Sequence, residues 1–283
     1  MPIPAELQTR EHFTAAYDNL AAIDGVADVI AALHSRSQSF HQGHRCVADI
    51  AYGGGPRQVC DWYPAAGADA AHAPVLVYLH GGYWQARGKR DFACVAAGAH
   101  QAGMHVVLGE YTLAPQARLA DMVAEVGLLL DALARHPVLG GAPANRPRMV
   151  LCGHSAGGQL AAMHRAHPSL AGVLAISGLF ELEPIRRGAL NDALRLSEQE
   201  VRDCSPQRRI GRGVPTVVAV GGAELPELLR QSREYAAALQ AAGEPARLLE
   251  LPGANHLSVL AELEDGHGRL LAEAIALARG TAG

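Results

Sequence analysis

The sequence predicts a doubly wound α/β domain: a mainly parallel central sheet with an antiparallel amino-terminal edge and helices on both faces. Three observations predict it. From residue 75 onward, short apolar runs of strand length alternate with amphipathic stretches of helical period. The runs are apolar at successive positions, as strands buried on both faces are. Two shorter strand patterns around a Gly-Gly-Gly-Pro turn come before the alternation and supply the antiparallel edge. Right-handed crossovers leave little other topology open, and ligands of such sheets sit at the carboxyl ends of the strands.

The elements follow in order. Residues 1–43 are polar and read as a helical segment, with Val26, Val29, Ile30 and Leu33 at helical spacing. Val47–Tyr63 reads as two strands about the turn Gly53-Gly54-Gly55-Pro56. Val75–Leu79 is a strand, 89–102 a helix and His105–Leu108 a strand. Residues 117–135 carry Leu119, Met122, Val123, Val126, Leu129, Leu130 and Leu133 on one helical face. Arg148–Cys152 is a strand, Gln159–His167 a helix and Gly172–Ser177 a strand. Residues 179–213 form a short cap-like insertion; about 35 residues is too little for the large lid of an interfacial lipase. Val214–Val220, Leu225–Ala242, Ala246–Leu251 and Leu260–Arg279 read as strand, helix, strand and closing helix.

Composition agrees with one domain over residues 1–283. The chain is 49% hydrophobic and 18% charged, too apolar for disorder. A net charge of −4 and the lack of a basic run argue against binding nucleic acid. No apolar stretch reaches spanning length, and the first residues lack the pattern of a signal peptide, so no membrane and a cytoplasmic location are expected. Five scattered cysteines without a CxxC read as free thiols. A homodimer stays open.

Gly153-His154-Ser155-Ala156-Gly157 lies between a strand and a helix. This is G-x-S-x-G in the context where the turn is so tight that the serine hydroxyl stands exposed above the sheet, as a nucleophile must. A dinucleotide turn is not supported: GxGxxG is absent, and no acidic residue ends the next strand. The amide of Ala156, at the start of the new helix, points to where an oxyanion forms. Its partners are expected in His80-Gly81-Gly82-Tyr83-Trp84 after the strand 75–79, at Gly82 and Tyr83 with Gly81 close by, because consecutive glycines let backbone N–H groups approach a reacting carbonyl. Chain order then asks for an acid and a later histidine. His256, just past the strand 246–251, is the base. Gly221-Gly222-Ala223-Glu224-Leu225-Pro226-Glu227 holds no aspartate, and Glu224 at the strand exit is preferred to Glu227, whose place in a first helical turn has its own explanation. His164/His167 and His41/His44 have helical spacing but no third ligand, so no metal is expected.

These motifs resemble the α/β-hydrolase superfamily, and within it the kynurenine formamidase (arylformamidase) group, near the hormone-sensitive-lipase-like esterases. Tyr111–Pro115, Gly178–Pro184, Asn191–Leu194 running on to Cys204-Ser205-Pro206, and Gln231-Ser232 are similar to that group too. The resemblance implies a cofactor-free cytosolic serine hydrolase of tryptophan breakdown. It would cleave N-formylkynurenine to kynurenine and formate with Ser155, Glu224 and His256 as triad. The chain departs from the pattern at Tyr83, where the esterases carry a third glycine, and at Glu224, where eukaryotic members carry aspartate. The His-rich motif of the unrelated metal-dependent formamidases is absent. Tyr83, Trp84 and Phe180 are expected to wall the aromatic side of a small-molecule site. A short-chain carboxylesterase shares the machinery and differs in the pocket. A non-catalytic hydrolase-fold binding protein would be expected to have lost a triad member.

Overall fold

The computed structural model describes residues 4–66, 72–136, 139 and 149–281. Two helices open the chain, α1 (Arg10–Ala15) and α2 (Val26–Gly43). The single helical segment expected over 1–43 is therefore broken at residues 16–25, where Gly25 takes a left-handed φ of 63° just before α2. The hairpin β1 (Val47–Ala51) and β2 (Val59–Tyr63) follows, then β3 (Val75–Leu79), a 3₁₀ stretch Lys89–Ala96 with α3 (Ala97–Gln101), β4 (His105–Gly109) and α4 (Leu119–Arg135). Next come β5 (Met149–His154), α5 (Ala156–Met163) and β6 (Leu170–Ile176). Arg148, with which the sequence opens that strand, lies outside the described residues. The insertion folds as α6 (Glu183–Arg187), α7 (Asn191–Leu194) and α8 (Glu198–Cys204). The chain closes with β7 (Thr216–Gly221), α9 (Pro226–Ala241), β8 (Ala246–Leu251), α10 (Ala261–Glu264) and α11 (Arg269–Arg279). The closing helix is thus two helices. Gly268 sits so close to the carbonyl of Glu262 that an added Cβ would lie 2.1 Å from it, a fold-back no continuous helix allows.

The eight strands run in the order β1-β2-β4-β3-β5-β6-β7-β8. The β1–β2 and β2–β4 pairs are antiparallel and the others parallel. Along β3 every residue is buried. Val75, Val77 and Leu79 enter one core with Leu129 of α4 and Leu160 of α5, while Leu76 and Tyr78 enter the other with Phe92 and Leu271. This alternation between two cores is why the strand reads as a continuous apolar run. The carboxyl ends of β3, β5, β7 and β8 therefore converge on one edge of the sheet, where the motif residues lie.

Candidate active site

The turn from β5 into α5 is closed by contacts that only glycine allows. A Cβ on Gly153 would lie 2.0 Å from the carbonyl oxygen of Gly157, and one on Gly157 would lie 2.2 Å from that of Leu79. Between them Ser155 takes φ 55° and ψ −117°, a conformation costing about 1–3 kcal/mol for a residue with a side chain. Its neighbours hold it there: its N–H donates to Ile176 O at 2.8 Å, and its carbonyl accepts from Gln159 N at 3.1 Å.

Glu224 and His256 meet because the ends of β7 and β8 pack backbone to backbone. A Cβ on Gly221 would stand 2.3 Å from Ala254 O. His256 Nδ1–H donates to Glu224 Oε2 at 2.6 Å. The other oxygen, Oε1, accepts from Ser177 Oγ at 2.5 Å and from Gly221 N–H at 2.7 Å. The carboxylate is thus aimed from both sides, and in the neutral imidazole this hydrogen bond selects the tautomer in which Nε2 is an acceptor. Glu227 does not approach His256. It accepts from Tyr17 Oη at 2.8 Å and makes a two-pronged pair with Arg230.

Ser155, His154 and His256 line a common cavity of about 360 Å³, within the usual range for small-molecule sites of about 300–1,000 Å³. Gly81, Gly82 and Tyr83 line it too. Gly82 has φ 122° and Tyr83 φ 55°. Among the described residues no group accepts a hydrogen bond from the amides of Gly82, Tyr83 or Ala156, which leaves three donors at the elbow unspent. A Cβ on Gly81 would stand 3.1 Å from that of Ser155, so this glycine keeps the serine's surroundings open.

Sequence reasoning missed what holds the loop from below. Buried His80 places Nδ1 2.6 Å from Gly81 O and Nε2 2.8 Å from Glu110 Oε1, and Arg57 reaches the same oxygen at 2.6 Å. Burial would raise the Glu110 carboxyl, but the hydrogen bond and charge of His80, the charge of Arg57 and the Lys89 amide outweigh it and hold it below its ordinary value. A depressed carboxyl stabilises the fold above the unfolded-state pKa and loses that contribution as pH falls through the folded value. Glu110→Gln is expected to cost about 1.5–3 kcal/mol at neutral pH. The measurement is Tm against pH: the wild type should lose stability below pH 4.5, Glu110's ordinary value, with a shallower acid slope in the variant. Parallel slopes in both proteins would reject the assignment.

His154 is a second unforeseen neighbour. Its Nε2–H donates to the carbonyl of His256 at 2.8 Å, and its Nδ1 has no partner among the described residues. Burial, with His256 alongside, pushes its pKa well below the ordinary histidine value, so it stays neutral and fixes the His256 loop.

Two expected wall residues are elsewhere. Trp84 and Phe180 are fully buried and do not line the cavity. With φ 59°, the Trp84 backbone turns the indole into the core, where its N–H finds Gln159 Oε1 at 3.0 Å. Phe180 stacks on Tyr235 with ring centroids 4.3 Å apart. Nor does the insertion 179–213 line the cavity. The amino-terminal segment lines it instead, through Leu20, Ile30, Leu33 and His34, together with Ala86, Phe92 and Leu257. That segment is tied down by Tyr17 on Glu227 and by Asn19 N–H on Tyr83 Oη at 3.1 Å.

The histidine pairs are engaged otherwise. His164 bonds Val123 O at 2.8 Å, and burial lowers it to about 4, while His167 lies 3.4 Å from Asp131. His41 bonds Tyr63 Oη and His44 bonds Phe40 O. His41, Cys46 and Asp61 do cluster, but Asp61 is committed to Arg90 and Lys89. The cysteines among the described residues are unpaired, and no described helix is long and apolar enough to cross a membrane.

A strained serine between β5 and α5, with a carboxylate after β7 and a histidine after β8 at the same sheet edge, is the arrangement found on the α/β-hydrolase fold, and this chain has that fold. The family model described as "alpha/beta hydrolase fold" matches residues 76–203. Among named proteins the chain is similar to the kynurenine formamidase of Danio rerio, 28% identical over 87% of this chain and 86% of that one. Among solved structures it is similar to a protein provisionally described as a thioesterase from Silicibacter sp., with TM-score 0.80 and 26% identity over 92% of this chain and 97% of that one. The Pyrobaculum calidifontis esterase shares the fold, with TM-score 0.70 and 18% identity over the full length of both.

Proposed function

We propose that this chain is a serine hydrolase that deformylates an aryl formamide, N-formylkynurenine, through a formyl-enzyme. The observation that carries the chemistry is the hydrogen bond from His256 to a carboxylate held on both oxygens, in the same cavity as an elbow serine. The similarity to kynurenine formamidase supports the substrate.

In this reading His256 Nε2 takes the Ser155 proton as Oγ attacks the formyl carbon. The amides of Gly82, Tyr83 and Ala156 receive the oxyanion. The C–N bond breaks as the imidazolium returns its proton to the leaving aryl amine. Water, deprotonated by the same imidazole, then attacks the formyl ester; the C–Oγ bond breaks, the imidazolium returns the proton to Ser155 Oγ, and formate leaves. Glu224 orients His256 and stabilises the imidazolium.

The test compares kcat/KM for N-formylkynurenine, p-nitrophenyl acetate and p-nitrophenyl butyrate on one preparation, since specificity is that ratio. The formamide is expected to be preferred even though the activated esters are chemically easier. Turnover of esters without the formamide would replace the reading with a short-chain carboxylesterase.

A further inference from the structure

Resting on that reading, we infer that Arg87 is a specificity residue that receives an anionic group, a carboxylate, on the leaving-group portion of the substrate. Arg87 lines the cavity that holds Ser155. Its stem runs beside the oxyanion loop, with Cγ 3.0 Å from where a Gly82 Cβ would stand. Neighbouring Arg57 and Arg90 are both spent on carboxylates, Glu110 and the pair Asp49 and Asp61. Arg87 has no ion pair among the described residues, and its guanidinium meets only His34 Nε2, at 3.4 Å. The backbone that carries it is fixed: φ is 77°, uncommon for a residue with a side chain, and its carbonyl accepts from Arg57 at 2.9 Å.

An unspent guanidinium on a clamped backbone, in a cavity whose apolar wall includes Leu20, Ile30, Leu33 and Phe92, is the chemistry of carboxylate recognition. A negative group stands in the same cavity. Asp91 accepts from Gly88 N–H through Oδ2 at 3.0 Å, and its Oδ1 lies 3.9 Å from His34. One cation and one carboxylate, not paired with each other, complement a free α-amino acid, which carries an ammonium and a carboxylate on one carbon. The site therefore selects aryl formamides with an amino-acid arm over the same formamide without it.

The experiment measures kcat/KM for N-formylkynurenine and for 2-formamidoacetophenone, the same formanilide with a methyl ketone in place of the amino-acid arm. The wild type should prefer the first. In Arg87→Gln the ratio should fall about 10- to 100-fold, the weight of one charge-assisted hydrogen bond, chiefly through a raised KM. Arg87→Lys should recover part of it. An unaltered ratio, or an equal loss on both substrates, would overturn the inference.

If neither formanilide is hydrolysed, the formamidase reading fails and the inference is judged on an ester pair, 3-acetoxybenzoate against phenyl acetate. A preference for the acid that disappears in Arg87→Gln sustains it, and no preference overturns it. Calorimetric binding of kynurenine to Ser155→Ala protein, with and without Arg87→Gln, gives a readout without turnover. Binding weakened by the same factor supports the role, and binding insensitive to Arg87 or absent from the wild-type pocket rejects it.

Discussion

Ser155→Ala is expected to lower kcat by about 10⁴-fold or more, the scale of loss when the nucleophile is removed from a group of residues acting as a unit. Alanine meets the same backbone demand as serine at φ 55°, so the elbow and the fold survive and Tm should stay near the wild-type value. The check is twofold. Steady-state hydrolysis should vanish, and a fluorophosphonate should label a wild-type peptide containing Ser155 and nothing in the variant. Label on another peptide, or substantial residual turnover, would remove Ser155 from the mechanism.

Glu224→Gln is expected to approach the same loss, about 10⁴-fold, for a reason set by its neighbours. Ser177 Oγ and the Gly221 amide both donate to Oε1, so a glutamine must place its carbonyl there. Its NH₂ then faces His256 Nδ1 and donates to it, which puts the imidazole proton on Nε2. The base is gone although the side chain has hardly changed in size. Glu224→Asp should fall partway, because the shorter acid cannot reach His256 while holding both donors. Glu227→Gln is the contrast. Its carboxylate anchors Tyr17 and pairs with Arg230, so the expected cost is about 1–2 kcal/mol of stability with kcat within a few-fold. A silent Glu224→Gln beside an inactive Glu227→Gln would transfer the acid's role three residues along the chain.

What could be read in the sequence was whatever obeys a local rule. Strand periodicity, the glycines of the elbow, and Glu224 and His256 just past their strands all follow from short stretches of chain. The loop His80–Trp84, proposed to receive the oxyanion, was legible as a glycine-rich loop at a strand end for the same reason. The fate of its aromatic residue was not, because whether Trp84 faces a ligand or the core depends on two successive left-handed residues and on Gln159, 75 positions away. His80–Glu110–Arg57 joins three elements and leaves no spacing signal. Glu227 had a sufficient local explanation as a first-turn carboxylate, which concealed its bond to Tyr17, 210 residues away. The one available hint of the cavity wall was the apolar stripe Ile30 and Leu33 of α2, which reads equally well as a helix packed on the sheet.

That wall divides labour along the polypeptide. The groups proposed to make and break bonds hang from strand ends, where small changes propagate into two packed cores. Four of the residues that line the cavity, Leu20, Ile30, Leu33 and His34, come from one continuous stretch outside the sheet. Substrate preference can therefore drift, or be redesigned, by rewriting that stretch while the reaction centre is inherited intact. The same separation gives protein engineers a defined cassette: Leu20, Ile30, Leu33 and His34 can be randomised together with the elbow, the acid and the base held constant.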